Sequence, residues 1–202
     1  MAEFQKPPPL EIKCTSVDCD NDLHCFKQLK KMTPDQRGKC RACGAELIDW
    51  ARLHRRDSTD AAHTFSALQH ELIRHHFFHR EVDETAANHA QRKGRRALKE
   101  AACDRLRKYL APAEPPRDGY QTPLEGNAIY YAQHATATCC RTCLEYWHDV
   151  PKGQKLTERE FAYCAELVEL FLDEKLPDLA DDPVHVPRRR RGVPPETEAP
   201  RL

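Results

Sequence analysis

The sequence predicts a mainly α-helical fold with a small β-rich module at its N-terminal end. Apolar residues recur at helical spacing in the centre of the chain, where Phe65 and Leu68 belong to one stripe. A capping box formed by Thr157 and Glu160 predicts the start of the last helix. Residues 13–50 differ, because they combine short apolar runs and turn residues with five cysteines. We therefore expect two parts of different structural class.

The periodicity of the helical part predicts its elements in order. One helix is expected over about residues 58–77, and a second over about residues 84–110. Residues 111–127 are rich in proline and glycine and predict a long irregular loop, of a kind that often carries function. The β-branched and aromatic residues Ile129, Tyr130 and Tyr131 favour a short strand, and a helix is expected to carry the cysteines that follow.

Composition sets the expected boundaries between these parts. Residues 1–12 and a proline- and arginine-rich tail at 180–202 are predicted to be disordered, because they have too few apolar residues to offset the entropy of ordering. Between them we expect a cysteine-rich module at 13–56, called the N-terminal module below, and an α-rich His/Cys domain at 57–179.

Charge and cysteine content narrow the functional classes. The 202 residues include 32 basic and 32 acidic side chains, so net charge predicts no oppositely charged partner. The chain has no apolar run of membrane-spanning length, and its first residues do not resemble a signal peptide, so we expect a cytoplasmic protein. Because cytosolic thiols stay reduced, ten cysteines and 11 histidines favour metal binding over disulfides.

The N-terminal module contains the stronger metal-binding pattern. Two cysteines three residues apart can chelate one ion from a tight turn, and Gly44 after them can adopt the positive φ that such a turn needs. A structural zinc site requires four ligands. The predicted ligands are Cys14, Cys19, Cys40 and Cys43. His24 or Cys25 could replace one of the first two. This pattern predicts a zinc ribbon, and the alternative is a set of thiols without metal.

A second cysteine cluster lies in the α-rich domain. If the chain is helical there, the cysteines are one turn apart and could share an ion with flanking histidines. The predicted ligands of this second zinc are His134, Cys139, Cys140, Cys143 and His148, with Cys139 able to substitute for Cys140. Buried cysteines without metal are one alternative, and a thiol nucleophile at Cys139 with His134 as its base is another.

The same region resembles a known family. The resemblance is carried by Leu110-Ala111-Pro112, Asp118-Gly119, Gln121-Thr122-Pro123, the run from Ala132 to Thr136, Cys139-Cys140-Arg141-x-Cys143-Leu144 and Trp147-His148. Over about residues 80–175 the chain resembles a small bacterial family, domain of unknown function four-one-eight-six. The resemblance implies a bacterial cytosolic setting and groups the histidines and cysteines as one unit. It implies no activity.

Two further surfaces are candidates for function. Glu71, His75 and His79 have the i, i+4, i+8 spacing of one helix face and could chelate a catalytic metal, although a solvated face is the simpler interpretation. A basic stretch could neutralise nucleic-acid phosphates, or form an ordinary solvated face. The residues that carry this second prediction are Arg92, Lys93, Arg95, Arg96 and Lys99.

Two functional hypotheses follow from these patterns. The first is a zinc-stabilised module that contacts nucleic acid or a protein partner. The second is a metal-dependent hydrolase or nuclease, using either His134, Cys140 and Cys143 or the face at Glu71. The number of protein ligands separates them, because a fourth ligand closes a zinc site and an open position admits water. The sequence alone leaves open whether the protein is an enzyme.

Overall fold

The computed structural model describes residues 12–29, 31–116 and 118–187, and within these ranges the chain forms seven α-helices. They are α1 (Trp50–Leu53), α2 (Ala61–Leu68), α3 (Leu72–His79), α4 (Glu84–Tyr109), α5 (Ala128–Ala135), α6 (Arg141–His148) and α7 (Glu158–Lys175). The expected mainly α class is therefore confirmed. None of the helices in the described ranges is both long and apolar enough to cross a membrane.

The predicted β-rich character of the N-terminal module is not seen. Its described residues contain short 3-10 helices at Cys19–Asn21 and Pro34–Gln36, and the pairing there is limited to isolated bridges. One of these bridges leaves the module, because the backbone of His24 pairs with Glu71 at the start of α3. The module therefore satisfies part of its backbone against the helical domain instead of building a sheet of its own.

The bridge between His24 and Glu71 explains why the segment predicted to be one helix forms two helices, α2 and α3. The prediction placed a continuous helix over about residues 58–77, but α2 ends at Leu68 and α3 begins at Leu72. The N–H of His24 donates to the carbonyl of His70 at 2.8 Å, and the N–H of Leu72 donates to the carbonyl of His24 at 3.0 Å. These bonds hold Glu71 in an extended conformation, with φ −91° and ψ 124°, that a helix cannot include.

The segment expected to be a strand at 129–131 is helical and belongs to α5. The side chain of Asn127 caps this helix by accepting a hydrogen bond from the N–H of Ile129 at 3.0 Å. Nearly all of α5 is buried, and it packs against α3, α4 and α7. Burial on several faces removes the periodicity that would have distinguished a helix from a strand.

Helix α7 lies at the centre of the helical domain. It begins at the expected capping box, in which the Thr157 and Glu160 side chains bond to each other's backbone N–H, and this prediction is confirmed. Its buried face includes Leu167, Val168 and Phe171 and packs against α2, α4 and α5. The core is therefore built around one well-capped helix that the sequence identifies locally.

Residues 180–187, expected to belong to a disordered tail, lie along α4. The N–H of Arg95 donates to the carbonyl of Ala180 at 2.8 Å, and the N–H of Val184 donates to the carbonyl of Gln91 at 2.9 Å. Gly94 interrupts α4 with a φ of 72°, and a Cβ there would lie 2.5 Å from the backbone of Asp182. Only glycine permits this approach. The remaining predicted disordered residues, 1–11 and 188–202, lie outside the described ranges.

Candidate metal centres

Four potential ligands of the N-terminal module converge on one point. They are Cys19, His24, Cys40 and Cys43, whose ligand atoms all lie within 4.8 Å of one another. The sulfurs of Cys19 and Cys40 are 3.8 Å apart, and Nδ1 of His24 lies 3.4 Å from the sulfur of Cys43. Tetrahedral zinc with bonds of about 2.3 Å to sulfur separates two sulfurs by about 3.8 Å, so the spacing fits one ion.

The imidazole of His24 is held in the orientation that a metal ligand requires. Its Nε2 lies 2.9 Å from the carboxylate of Asp22 and can donate a proton to it, while Nδ1 faces the sulfur of Cys43 at 3.4 Å. His24 itself is buried, whereas Asp22 is exposed. A carboxylate behind a ligating histidine fixes the tautomer and raises the basicity of the ring. The sequence left His24 as one alternative ligand, and Asp22 was not identified.

The turn that carries Cys40 and Cys43 has the conformation expected from its sequence. Gly44 has a φ of 79°, and its N–H donates to the carbonyl of Cys40 at 2.9 Å. Burial raises the pKa of Cys40, but N–H groups of the surrounding backbone and the ring of His24 outweigh it, and its pKa falls to about 6. Such donors stabilise a thiolate, which is the form that binds metal.

The second cluster contains three cysteines at the start of α6. The sulfurs of Cys139, Cys140 and Cys143 lie within 4.8 Å of one another. Cys140 is the N-cap of α6, and Cys143 lies in its first turn. Ala137, with a φ of 56°, turns the chain just before the cysteines. A Cys-x-x-Cys pair at a helix N-terminus is favourable for thiolates, because the helix dipole stabilises negative charge there.

The structure places Cys14 with this second cluster and not with Cys19, which corrects the predicted grouping. The side chains of Cys14 and Cys143 line one cavity. The carbonyl oxygen of Cys14 accepts a hydrogen bond from the buried thiol of Cys25 at 3.4 Å. The sulfur of Cys14 is not part of the group formed by Cys19, His24, Cys40 and Cys43.

The two histidines predicted for the second centre have other partners. His148 donates from Nε2 to the carbonyl of Thr136 at 3.0 Å, and its Nδ1 lies 3.1 Å from the hydroxyl of Tyr163. His134 donates from Nε2 to the carbonyl of Thr122 at 3.0 Å. Burial lowers the pKa of both imidazoles to about 4. Each ring therefore acts as a neutral polar group of the core, and neither belongs to the cysteine group.

A buried ion pair lies beside the second cluster. Glu71 and Arg74 are each about 1% exposed, and their side chains are 3.0 Å apart. Arg74 also donates to the sulfur of Cys143 at 3.3 Å and to the carbonyl of His134 at 2.6 Å. These residues were not identified as neighbours of the cysteines, since no local pattern connects positions so far apart in sequence.

A cavity of about 210 Å³ adjoins the same cluster. Its lining includes the four cysteines at 14, 139, 140 and 143, together with Lys27, Arg74 and the exposed Tyr120 of the long loop. The loop at 111–127 therefore contributes to the surroundings of the cysteines. The cavity is small, since pockets for drug-sized ligands have volumes of about 300–1,000 Å³.

The predicted face of Glu71, His75 and His79 is not assembled. Glu71 is the N-cap of α3 with an extended backbone, so the helical spacing does not apply to it. Its carboxylate turns into the core and accepts hydrogen bonds from Tyr146 and Trp147, each at 2.6 Å. The rings of His75 and His79 contact each other with centroids 4.0 Å apart, away from that carboxylate. Within the described ranges, these residues do not form a potential metal group.

The basic stretch of α4 is largely paired within the chain. Arg95 donates to Asp173 at 2.6 Å, Lys99 contacts Asp173 at 2.8 Å, and Arg96 forms an ion pair with Asp182. Arg92 donates to the carbonyl of Val186 at 3.3 Å. This face therefore holds α7 and the segment at 180–187, and its capacity to neutralise phosphates is reduced.

Comparison with known proteins places this geometry in a family. The family model described as "Domain of unknown function (DUF4186)" matches residues 62–173, more than half of the chain. The chain belongs to this family. The DUF4186 match includes Glu71, Arg74 and the three cysteines of the second cluster, but it begins after the first centre and after Cys14. No solved structure matches the chain.

Proposed function

We propose that this protein is a zinc-binding member of its family in which zinc at Cys19, His24, Cys40 and Cys43 has a structural role. The observation that carries the proposal is the convergence of three sulfurs and one oriented imidazole nitrogen within 4.8 Å. Three thiolates and one imidazole are a common ligand set of structural zinc sites. Four protein ligands complete the tetrahedron, so this centre has no open position for a water nucleophile.

The location of the centre supports a structural role. The described part of the N-terminal module has no sheet and little regular structure, so few backbone bonds hold it in shape. Zinc would join Cys19 near the beginning of the module to Cys40 and Cys43 near its end. Next to His24, Phe26 packs on Trp50 and Trp147 with ring centroids 6.0 and 5.9 Å apart. The ion would therefore fix the module against the helical domain.

Replacing Cys43 with serine tests this role. We expect the variant to lose one zinc ion per chain and to lose amide protection over about residues 13–50, because zinc binding and folding are coupled in such modules. In small zinc modules this coupling is worth an apparent 10–16 kcal/mol, so the loss should be large. Metal analysis and hydrogen exchange read by mass spectrometry measure the two effects.

Cys103→Ser is the matched control, since Cys103 lies on α4 outside both cysteine groups. It should keep its zinc and its amide protection. The assignment fails if Cys43→Ser keeps the full metal content and wild-type protection of the module.

A groove beside the first centre favours nucleic acid as the partner of the module. The groove has a volume of about 720 Å³ and is lined by Lys31, Lys39 and Arg41 without any acidic side chain among its lining residues. Lys39 forms an ion pair with Glu46, so its charge is partly compensated. Basic side chains along a groove match the phosphate backbone of a nucleic acid. This surface is a better candidate than α4, whose charges are mostly paired.

The double variant Lys31→Ala, Lys39→Ala should weaken binding to single-stranded DNA or RNA, because each lysine would neutralise one phosphate. Loss of two phosphate contacts should reduce the salt dependence of log K by roughly two units of slope. Fluorescence anisotropy at several salt concentrations measures this slope. The control Arg95→Ala, Arg96→Ala should bind like the wild type, and absence of binding at low salt would reject a nucleic-acid partner.

A hydrolase function is less well supported. Its two proposed metal sites required His134 with the cysteines, or Glu71 with two histidines, and in both cases the side chains are bonded elsewhere. A binding protein with structural zinc is better supported, because it accounts for the convergence of Cys19, His24, Cys40 and Cys43.

A further inference from the structure

A cysteine from outside the family domain, Cys14, lines the cavity that adjoins the second cluster. We propose that Cys14, Cys139, Cys140 and Cys143 bind a second zinc ion, so that the N-terminal segment closes a metal centre on the helical domain. This centre is separate from the first one and rests on its own contacts. It would make the chain a two-zinc protein whose second site is assembled from two distant parts of the sequence.

The spacing of the sulfurs matches one ion. The three sulfurs of the DUF4186 domain lie within 4.8 Å of one another, and a mononuclear zinc site requires sulfurs about 3.8 Å apart. The 4.8 Å is an upper limit for these separations, and the zinc spacing falls within it. An iron–sulfur cluster inserts several iron and sulfide atoms between its cysteines, and thiols already packed this closely leave no room for it.

Cys14 lies at the cavity that adjoins the other three cysteines. Its side chain lines that cavity together with Cys139, Cys140 and Cys143, although its sulfur is outside the group of three that all lie within 4.8 Å of one another. The bond from the thiol of Cys25 to its carbonyl oxygen holds the backbone in place at 3.4 Å. The fourth sulfur is thus delivered by a segment that is already anchored beside the site.

Two groups of the helical domain favour thiolates at this position. Cys140 is the N-cap of α6 and Cys143 lies in its first turn, so both are near the positive end of the helix dipole. Arg74, buried and paired with Glu71, donates to the sulfur of Cys143 at 3.3 Å. Hydrogen bonds of this kind stabilise metal-bound thiolates and orient them. A thiol cluster used only for packing would not require a buried guanidinium.

The proposal has a chemical consequence for the adjoining cavity. Three cysteines would leave one coordination position open toward the cavity, where a metal-bound water could act as a nucleophile. With Cys14 as fourth ligand the position is closed and the second zinc is structural as well. The ligand count at this site therefore decides between a binding protein and a metalloenzyme.

Alkylation of the wild-type protein tests the ligand set without any substitution. The purified, zinc-loaded chain is treated with iodoacetamide, and each cysteine is followed by peptide mass spectrometry. We expect Cys14 to be protected together with Cys139, Cys140 and Cys143, and all four to become reactive when a chelator removes the metal. Cys103 should react in both states. Rapid alkylation of Cys14 in the loaded protein while Cys140 stays protected would overturn the proposal.

Metal analysis and X-ray absorption of variants distinguish this site from the first one. The wild type should bind two zinc ions with about seven sulfur ligands in total, and Cys14→Ser should reduce that number to about six. Cys140→Ser should lose one ion, while Cys103→Ser should lose none. Two ions with seven sulfurs in Cys14→Ser, or iron in place of zinc, would reject the second centre.

The two proposals can fail separately. A wild type with a single zinc that Cys43→Ser removes, but Cys140→Ser does not, would reject the second centre and keep the first. A single zinc with the opposite response would reject the first centre and keep the second.

Discussion

Replacing Glu71 with alanine is expected to destabilise the protein by about 3–5 kcal/mol, because it breaks a fully buried ion pair and leaves Arg74 as an uncompensated charge. The substitution also removes the acceptor for the hydroxyl of Tyr146 and for the indole N–H of Trp147, both bonded to Glu71 at 2.6 Å. Burial raises the pKa of this carboxyl, and its three donors act against that change. Urea unfolding of the zinc-loaded protein measures the loss.

Three further variants isolate the cause of this loss of stability. Glu71→Gln keeps an acceptor and should lose less stability than alanine. Adding Arg74→Met to Glu71→Ala should recover part of the loss, because it removes the charge left unpaired. Glu81→Ala, on the exposed segment after α3, should stay within about 0.5 kcal/mol of the wild type. A Glu71→Ala protein as stable as the Glu81→Ala control would contradict the importance of this pair.

Replacing Trp147 with alanine is expected to cost about 3–5 kcal/mol, since a fully buried tryptophan leaves a large cavity. Its ring contacts Trp50, with centroids 5.2 Å apart, and Phe26 at 5.9 Å, so it joins α6 to the N-terminal module. We expect the variant to expose the module to hydrogen exchange before the helical domain unfolds. Denaturant unfolding combined with hydrogen exchange measures both effects.

Trp147→Phe separates packing from hydrogen bonding. Phenylalanine keeps most of the apolar volume but loses the donor to Glu71, so the cost should fall to about 1–3 kcal/mol. Tyr120→Ala is a suitable control, because Tyr120 is 73% exposed and should change stability by no more than about 0.5 kcal/mol. Equal losses for Trp147→Ala and Tyr120→Ala would show that the module does not depend on this aromatic contact.

Locally encoded features agreed well with the structure. The helix starts at Thr157 and near Glu84 are set by caps and by periodic apolar residues, and both helices begin where expected. The turn at Cys40 and Cys43 is also local, since the spacing of the cysteines and the glycine after them determine its conformation. Such features depend on residues within one or two turns of each other, which a sequence displays directly.

Features that depend on burial were predicted less well. The strand expected at 129–131 is part of α5, because a helix buried on most sides has no clear apolar stripe. The helix expected over 58–77 is divided by a backbone bridge from His24, which lies far away in sequence. His134 and His148 were predicted to join the cysteines because of their spacing in the sequence. In the core, their rings instead bond to the carbonyls of Thr122 and Thr136.

By itself, the sequence determined the mainly helical class, the two cysteine-rich regions and the chelating turn, because each depends on neighbouring residues. Only the tertiary structure decided which thiols share a site. Cys14 lines one cavity with Cys143, while His24 joins Cys19, Cys40 and Cys43. Cys14 and Cys19, which are near each other in sequence, therefore belong to different surroundings. A linear spacing cannot specify which side each faces, because that depends on how the packed module meets the helical domain.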